Sequence, residues 1–250
     1  MKTNLNSYKI FFLLYSILIL TNGCSDDEDA SLQINPSDMP YSVEINPSDF
    51  KTDNINGNLY FPIVSGTTYV YEGKNEEGNN IRVEEEYTND TKIILGVTCI
   101  IVHATEYENN ELIEDTYDWY AQDNTGNLWY FGEYSEEIKN GVVVSTDGSW
   151  EAGIDNALPG VIMFANPISG LWYRQEYYKN EAEDVAQIIS LNESITITYS
   201  SFTNCLKIAE WSPLEPSIME HKYYAPEIGL VKVISVKGES GYEELTHINN

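Results

Sequence analysis

An all-β domain, an antiparallel barrel, half-barrel or sandwich of about eleven strands with one short helix, is the fold class that this 250-residue sequence predicts. Two observations carry that expectation. From Leu59 onward, short runs of β-branched and aromatic residues alternate with turn signals at hairpin spacing, and the chain is rich in strand-forming aromatics, with 19 Tyr and five Trp.

The chain opens on a segment of another kind. Lys2 and Lys9 precede the apolar run Ile10–Leu20, then Thr21-Asn22-Gly23-Cys24 and the acidic Ser25-Asp26-Asp27-Glu28-Asp29. The apolar run is too short to span a bilayer comfortably, and a small glycine precedes the cysteine, as in a bacterial lipoprotein signal. Cleavage is expected before Cys24, which would carry the lipid. The acidic stretch after it resembles the export signals of surface-displayed lipoproteins, so an outer-membrane location facing outward is expected, otherwise a periplasmic one. Residues 24–58, rich in Asp, Asn, Ser and Pro, read as an acidic tether carrying the echo Ile34-Asn35-Pro36-Ser37-Asp38 and Ile45-Asn46-Pro47-Ser48-Asp49. Two copies are too few for a repeat architecture.

Residues 59–250 read as a single β domain. Its runs are Thr67–Glu72, Asn80–Tyr87, Lys92–Thr105, Glu111–Gln122, Asn127–Glu133, Gly141–Thr146, Gly170–Tyr178, Ser194–Tyr199, Phe202–Trp211, Ile218–Ala225 and Leu230–Val236. In the turns Asn75-Glu76-Glu77-Gly78-Asn79 and Asp123-Asn124-Thr125-Gly126-Asn127, Gly stands where a type I turn followed by a bulge needs a left-handed residue. Pairing Asp123 with Asn127 sets Ala121 against Trp129, Trp119 against Phe131 and Tyr117 against Glu133. That register gathers the large aromatics on one face, expected to be core, and leaves Asp118, Tyr120, Gln122 and Tyr130 on the other. A helix is expected over residues 181–190, because Asn180 and Glu183 form a capping pair and Ala182, Val185, Ala186 and Ile189 follow at helical spacing.

Charge excludes some functions. Loss of the two lysines in residues 1–23 lowers 13 basic residues to 11 against 40 acidic ones, a formal charge of −29. Such a field repels phosphate backbones and anionic headgroups, so no nucleic-acid partner is expected, and membrane attachment must come from the lipid on Cys24. Neutral and cationic ligands remain. Cys99 and Cys205 lie in strand-like runs and are open to either reading, a disulfide or two buried thiols. No metal or cofactor motif is present: CxxC and HExxH are missing, and His103, His221 and His247 are far apart. Nucleophile elbows and Gly-rich phosphate loops are missing too.

Candidate site residues come from the longest stretch without strand alternation, residues 148–160, and from scarce residue types. Trp150 and Glu151 lie in that loop, and Glu133 ends the aromatic strand before it. Two converging carboxylates would serve acid–base hydrolysis or cation binding. On the run after Gly170, Trp172, Arg174, Glu176 and Tyr178 share a face by alternation. Arg174 would hold a ligand carboxylate or an internal Glu partner. His221 reads as a structural histidine or a site member. The aromatic surplus edged by Asp and Asn also fits a sugar-stacking surface.

Several strings together resemble a family of exported bacterial proteins of uncharacterised function. They are Leu59-Tyr60-Phe61-Pro62-Ile63-Val64 with Gly66-Thr67-Thr68-Tyr69-Val70-Tyr71-Glu72-Gly73, Asp115-Thr116-Tyr117-Asp118-Trp119-Tyr120-Ala121-Gln122-Asp123 and Trp129-Tyr130-Phe131-Gly132-Glu133. Ser149-Trp150-Glu151-Ala152-Gly153, Tyr173-Arg174-Gln175-Glu176-Tyr177 and Glu220-His221-Lys222-Tyr223-Tyr224-Ala225-Pro226 complete the set. The likeness covers about residues 59–236 and implies one domain and export, but no activity, cofactor or catalytic residue. Glu227 stands where the pattern expects Gly. The function expected is a lipid-anchored ligand-binding module for a neutral glycan or a cation; the alternatives are a carboxylate-dependent hydrolase and a structural component of an envelope assembly.

Overall fold

The computed structural model describes residues 40–250. The signal segment, the lipidation site Cys24 and the first part of the tether lie outside the described residues.

Among the described residues, fifteen strands form one antiparallel sheet. In chain order they are β1 (Thr68–Lys74), β2 (Asn80–Ile94), β3 (Val97–Glu108), β4 (Glu111–Gln122), β5 (Leu128–Lys139), β6 (Val142–Ser145), β7 (Trp150–Glu151) and β8 (Leu158–Met163). β9 (Trp172–Arg174), β10 (Glu176–Tyr177), β11 (Val185–Thr196), β12 (Ser201–Trp211), β13 (Met219–Ala225), β14 (Gly229–Lys237) and β15 (Tyr242–Asn249) follow. The sheet runs β10-β8-β5-β4-β3-β2-β1-β15-β14-β13-β12-β11-β9, so its two ends are strands separated by Gln175 alone. The chain thereby bends the sheet into a nearly closed barrel, the first of the expected architectures.

Two cores follow from the closure. Inside the barrel, Tyr69, Tyr71, Tyr87, Val102, Leu206, Ile208, Tyr224 and Leu245 pack with one another. Outside the wall of β3–β5, Trp119, Ala121 and Phe131 pack under Phe50, Trp150 and Ala157. The aromatic face is therefore core, as the register argument expects, but so is the opposite face, which lines the barrel interior. The packed body also begins ahead of residue 59. Phe50 is buried and bridges Asp123, and Tyr60, Phe61 and Ile63 stopper one end of the barrel, where the Glu227 N–H donates to the Leu59 carbonyl at 2.7 Å.

Both Gly-containing turns form as expected. Asp123 N–H donates to Asn127 O at 3.0 Å and Asn75 N–H to Asn79 O at 3.2 Å, with Gly126 and Gly78 left-handed at φ +95° and +82°. Glu227, at the position where the family strings expect Gly, is itself left-handed at φ +66°.

Two expectations need correction. The helix over residues 181–190 is a turn followed by β11. Asn180 N–H does donate to the Glu183 carboxylate at 2.8 Å, the expected capping bond, but the turn closes a bridge between Tyr178 and Ala182 instead of starting a helix. Ala182, Val185 and Ala186 are buried because the start of β11 is covered on both faces, which imitates helical spacing, whereas Ile189 is exposed. Among the described residues the only helical element is the 3-10 turn Pro47–Asp49.

The second correction concerns register. Ala121 does face Trp129, but Asp118 then faces Glu133 and Tyr117 faces Tyr134. One extra residue is inserted in β5 beside Gly132, which sits at φ +128° with no room for a side chain: a Cβ there would lie 2.2 Å from the Trp150 carbonyl oxygen. This bulge turns Glu133 from the aromatic face into the barrel.

Candidate functional site

The bulge is one of several devices that fill half of the barrel with acid. By ladder register, Glu85 on β2, Glu106 on β3, Asp118 on β4 and Glu133 on β5 all face inward, and so do Glu210, Glu220 and Glu243 across the barrel. Lys222 on β13 is the cation among them. The stoppered end, by contrast, is aromatic and aliphatic.

At the open end lies a cavity of about 270 Å³. Glu133 and Glu176 line one side and Glu210 and Glu220 the other, while Glu181, Asp184, Glu215 and Glu239 come from the rim. Trp211, Leu214 and Ile218 supply apolar wall. Eight carboxylates thus surround one lysine, and that lysine is engaged: Lys222 Nζ lies 2.6 Å from Glu210, whose other oxygen accepts from Gln175 at 2.9 Å.

Protonation follows from enclosure. The inward carboxylates are walled by protein, and Glu85, Glu106, Asp118 and Glu243 keep only partial exposure. Burial pushes Glu133 well above the usual carboxylate range, and Asp118 and Glu176 push it further. Glu176 rises through burial and the nearby Asp184. The Trp150 indole N–H points toward Glu176 and opposes this rise without closing a hydrogen bond of full geometry. Burial lifts Glu106 to about 8, and Glu85 and Glu243 to about 7. Asp118, also raised by burial, is held to about 6 by the hydroxyl of Tyr130. Burial alone would lower Lys222, but Glu210, Tyr224 and Glu220 hold it well above the ordinary lysine value.

The candidates from the sequence separate accordingly. Glu133 and Glu176 meet in the mouth, and Trp150 pairs with Glu133 along the β5–β7 ladder. Glu151, Arg174 and His221 are elsewhere. Glu151 binds Lys92 at 2.7 Å on the outer face, where that ammonium also sits 3.3 Å from the centre of the Trp119 ring. Arg174, buried on the outside of β9, lies 3.8 Å from Glu183 and stacks on Tyr177 and Tyr41 at 4.7 and 5.8 Å. His221 opposes Ala209 and Ile234 on the outer face, and burial with Lys207 nearby holds its pKa down. Cys99 and Cys205 are both free and buried, one in each core.

The Lys92–Glu151 pair is about one-third exposed on each side. Changing Glu151 to Gln should therefore cost no more than about 1 kcal/mol, as for other surface ion pairs, and leave ligand binding unaltered. Thermal melting with a binding titration checks both halves.

Sequence reasoning missed Glu85, Glu106, Asp118, Glu210, Glu220, Lys222 and Glu243 as a group. Each is an ordinary charged residue in a strand, and only closure of the barrel shows that they converge. Glu176 helps to raise Glu133, so these two carboxyls of the mouth titrate as a pair, while Glu210 is engaged by Lys222 and Gln175. Among the described residues, no three His, Cys, Asp or Glu side chains are grouped closely enough to hold a metal ion.

No family model and no curated protein matches the chain. Among solved structures, one similar chain is from Bacteroides fragilis NCTC 9343, described as exported and of YmcC-like fold, at 13% identity and a TM-score of 0.47, covering 77% of this chain and 100% of that one. A second, described as a lipoprotein of Parabacteroides distasonis ATCC 8503, has 14% identity and a TM-score of 0.42 over 77% of this chain and 99% of that one.

Proposed function

We propose that the protein is a lipid-anchored binding module of the cell envelope whose barrel mouth takes an organic cation with two or more amines. The lipoprotein signal ending at Cys24 supports the anchor and the envelope location. The observation that carries the ligand class is the mouth itself, eight carboxylates around about 270 Å³ with their one lysine already paired to Glu210. That volume holds about nine water-sized units, the bulk of a linear polyamine. The carboxylates are spread around the wall and do not converge on a point, which suits separated ammonium groups joined by methylenes, with Trp211, Leu214 and Ile218 against the chain. A neutral glycan would leave these carboxylates uncompensated.

Isothermal titration with spermidine at low salt and pH 7 tests this reading. Saturable binding is expected, weakened by salt, with protons released as the mouth carboxylates ionise around the cation. Glu215→Gln and Glu239→Gln together should weaken it at least fivefold. Absence of saturable binding, or binding indifferent to these rim variants, overturns the reading, as does tighter binding of a neutral oligosaccharide.

A further inference from the structure

Behind the mouth, nearer the stoppered end, lies a smaller chamber of about 110 Å³. Its wall is aromatic: Phe61 packs 5.5 Å from Tyr120 and 6.3 Å from Tyr87, and Tyr87 packs 5.4 Å from Tyr69. Tyr71 and Tyr224 complete it, with the carboxyls of Glu85 and Asp118 and the apolar side chains of Val102, Ile162 and Leu230. Tyr69, Tyr71, Tyr87 and Tyr224 are more than nine-tenths buried as residues, and among the described residues neither their hydroxyls nor that of Tyr120 has a hydrogen-bond partner; their oxygens keep open surface toward the lumen. The contrast with Tyr130, whose hydroxyl donates to Asp118, and Tyr60, which donates to the Asn204 carbonyl, is direct. Hydroxyls that open unpaired onto an enclosed cavity, on side chains otherwise buried, favour a polar occupant that can hydrogen-bond to them.

We propose that this chamber is an inner seat for one small alkylammonium group, with Glu85 and Asp118 supplying the countercharge and the Tyr71, Tyr87 and Tyr120 oxygens accepting its N–H bonds. The inference rests on the reading that the barrel interior takes organic cations, and names a second site for them. Three features select the ligand. The local charge is negative, because Lys222 at the chamber's edge is turned to Glu210 at 2.6 Å. Aromatic faces attract a cation. Val102, Ile162 and Leu230 offer a short apolar patch for an alkyl tail. At about 30 Å³ per water-sized unit, the chamber holds about four heavy atoms, the size of propylammonium.

The test is an NMR titration of the full protein with propylammonium, with propan-1-ol as the neutral isostere and spermidine as the probe of the mouth. Wild type should bind propylammonium saturably and propan-1-ol at least tenfold more weakly. Glu85→Gln, and separately the double change Tyr71→Phe with Tyr87→Phe, should each weaken propylammonium at least tenfold while leaving spermidine within twofold. Conversely, the rim changes Glu215→Gln and Glu239→Gln should weaken spermidine and not propylammonium. Absence of saturable propylammonium binding, equal binding of propan-1-ol, or unchanged affinity in Glu85→Gln overturns the chamber. Propylammonium binding without spermidine binding overturns the mouth and keeps the chamber. Glu85→Gln preserves side-chain shape and so decides the matter even where the tyrosine double variant fails to fold.

Discussion

Lowering the pH from 8 to 5 should raise the melting temperature of this protein by about 10 °C, the reverse of ordinary acid destabilisation. Burial lifts Glu106 to about 8, Glu85 and Glu243 to about 7, and Asp118 to about 6. Because these folded values lie above the unfolded ones, the native chain binds more protons than the unfolded chain between about pH 4 and pH 8. Stability is then fully present below the unfolded carboxylate range and is lost as pH rises through 6 to 8. Glu85, Glu106, Asp118 and Glu243 each keep partial exposure, so only a part of the shifts converts into stability, on the order of 3 kcal/mol in total, which at about 2–4 °C per kcal/mol gives the stated rise.

The gain has an acid limit. Asp123 is held low, its burial outweighed by hydrogen bonds from Trp129, Thr125 and Asn127, and Glu244 is held low by Thr198 and Lys232. Groups with lowered values contribute above the unfolded range and lose that contribution as pH falls through their folded values, so the optimum should fall near pH 5. Glu106→Gln, which mimics the protonated side chain, should raise the melting temperature at pH 8 and flatten the profile. Scanning calorimetry from pH 4 to 9 on both proteins checks this. A wild-type melting temperature that falls between pH 8 and pH 5 would show the lumen carboxylates to be ionised in the fold.

The fold class was legible because turn chemistry is local. Gly78 and Gly126 mark their hairpins, and most long strands carry β-branched or aromatic runs. What was not legible required knowledge of what lies across the barrel. β15 escaped notice because its inward Glu243 breaks the apolar alternation, and β8 because Pro159 and Gly160 read as strand breakers. β11 imitated a helix because its first residues, Val185 to Ile188, are covered on both faces and so show no period of two. The site failed for a related reason. Glutamates in strands read as solvent-facing, whereas here Glu85, Glu106 and Glu243 face a lumen, and Glu133 reaches it through a bulge whose one sequence mark is Gly132. Arg174 and His221 drew attention as scarce residue types, and scarcity says nothing about which side of a wall a side chain takes.

Barrel closure itself depends on a glycine, and Gly160→Ala should cost at least about 3 kcal/mol, lowering the melting temperature by about 10 °C. β8 pairs with β5 on one side, where Gly160 faces Tyr130, and with β10 on the other, where Pro159 faces Glu176. The seam is tight because β9 and β10 are joined through Gln175, whose N–H donates to the Asp184 carbonyl at 2.9 Å. A Cβ on Gly160 would lie 2.3 Å from the Gln175 carbonyl carbon, 2.4 Å from its oxygen and 2.6 Å from the Arg174 oxygen. All three are backbone atoms, so no side chain can swing away, and relief requires β8 to part from the β9–β10 segment. Parting would shift Glu176 in the mouth, so the variant should also weaken spermidine binding. Gly148→Ala, at a position with no atom within 4 Å of the added methyl but with φ at +93°, serves as the comparison for backbone strain alone, about 1 kcal/mol. A Gly160→Ala protein that melts within about 2 °C of wild type would mean that the seam is looser than these contacts make it, and that closure is carried by the ladder bonds alone.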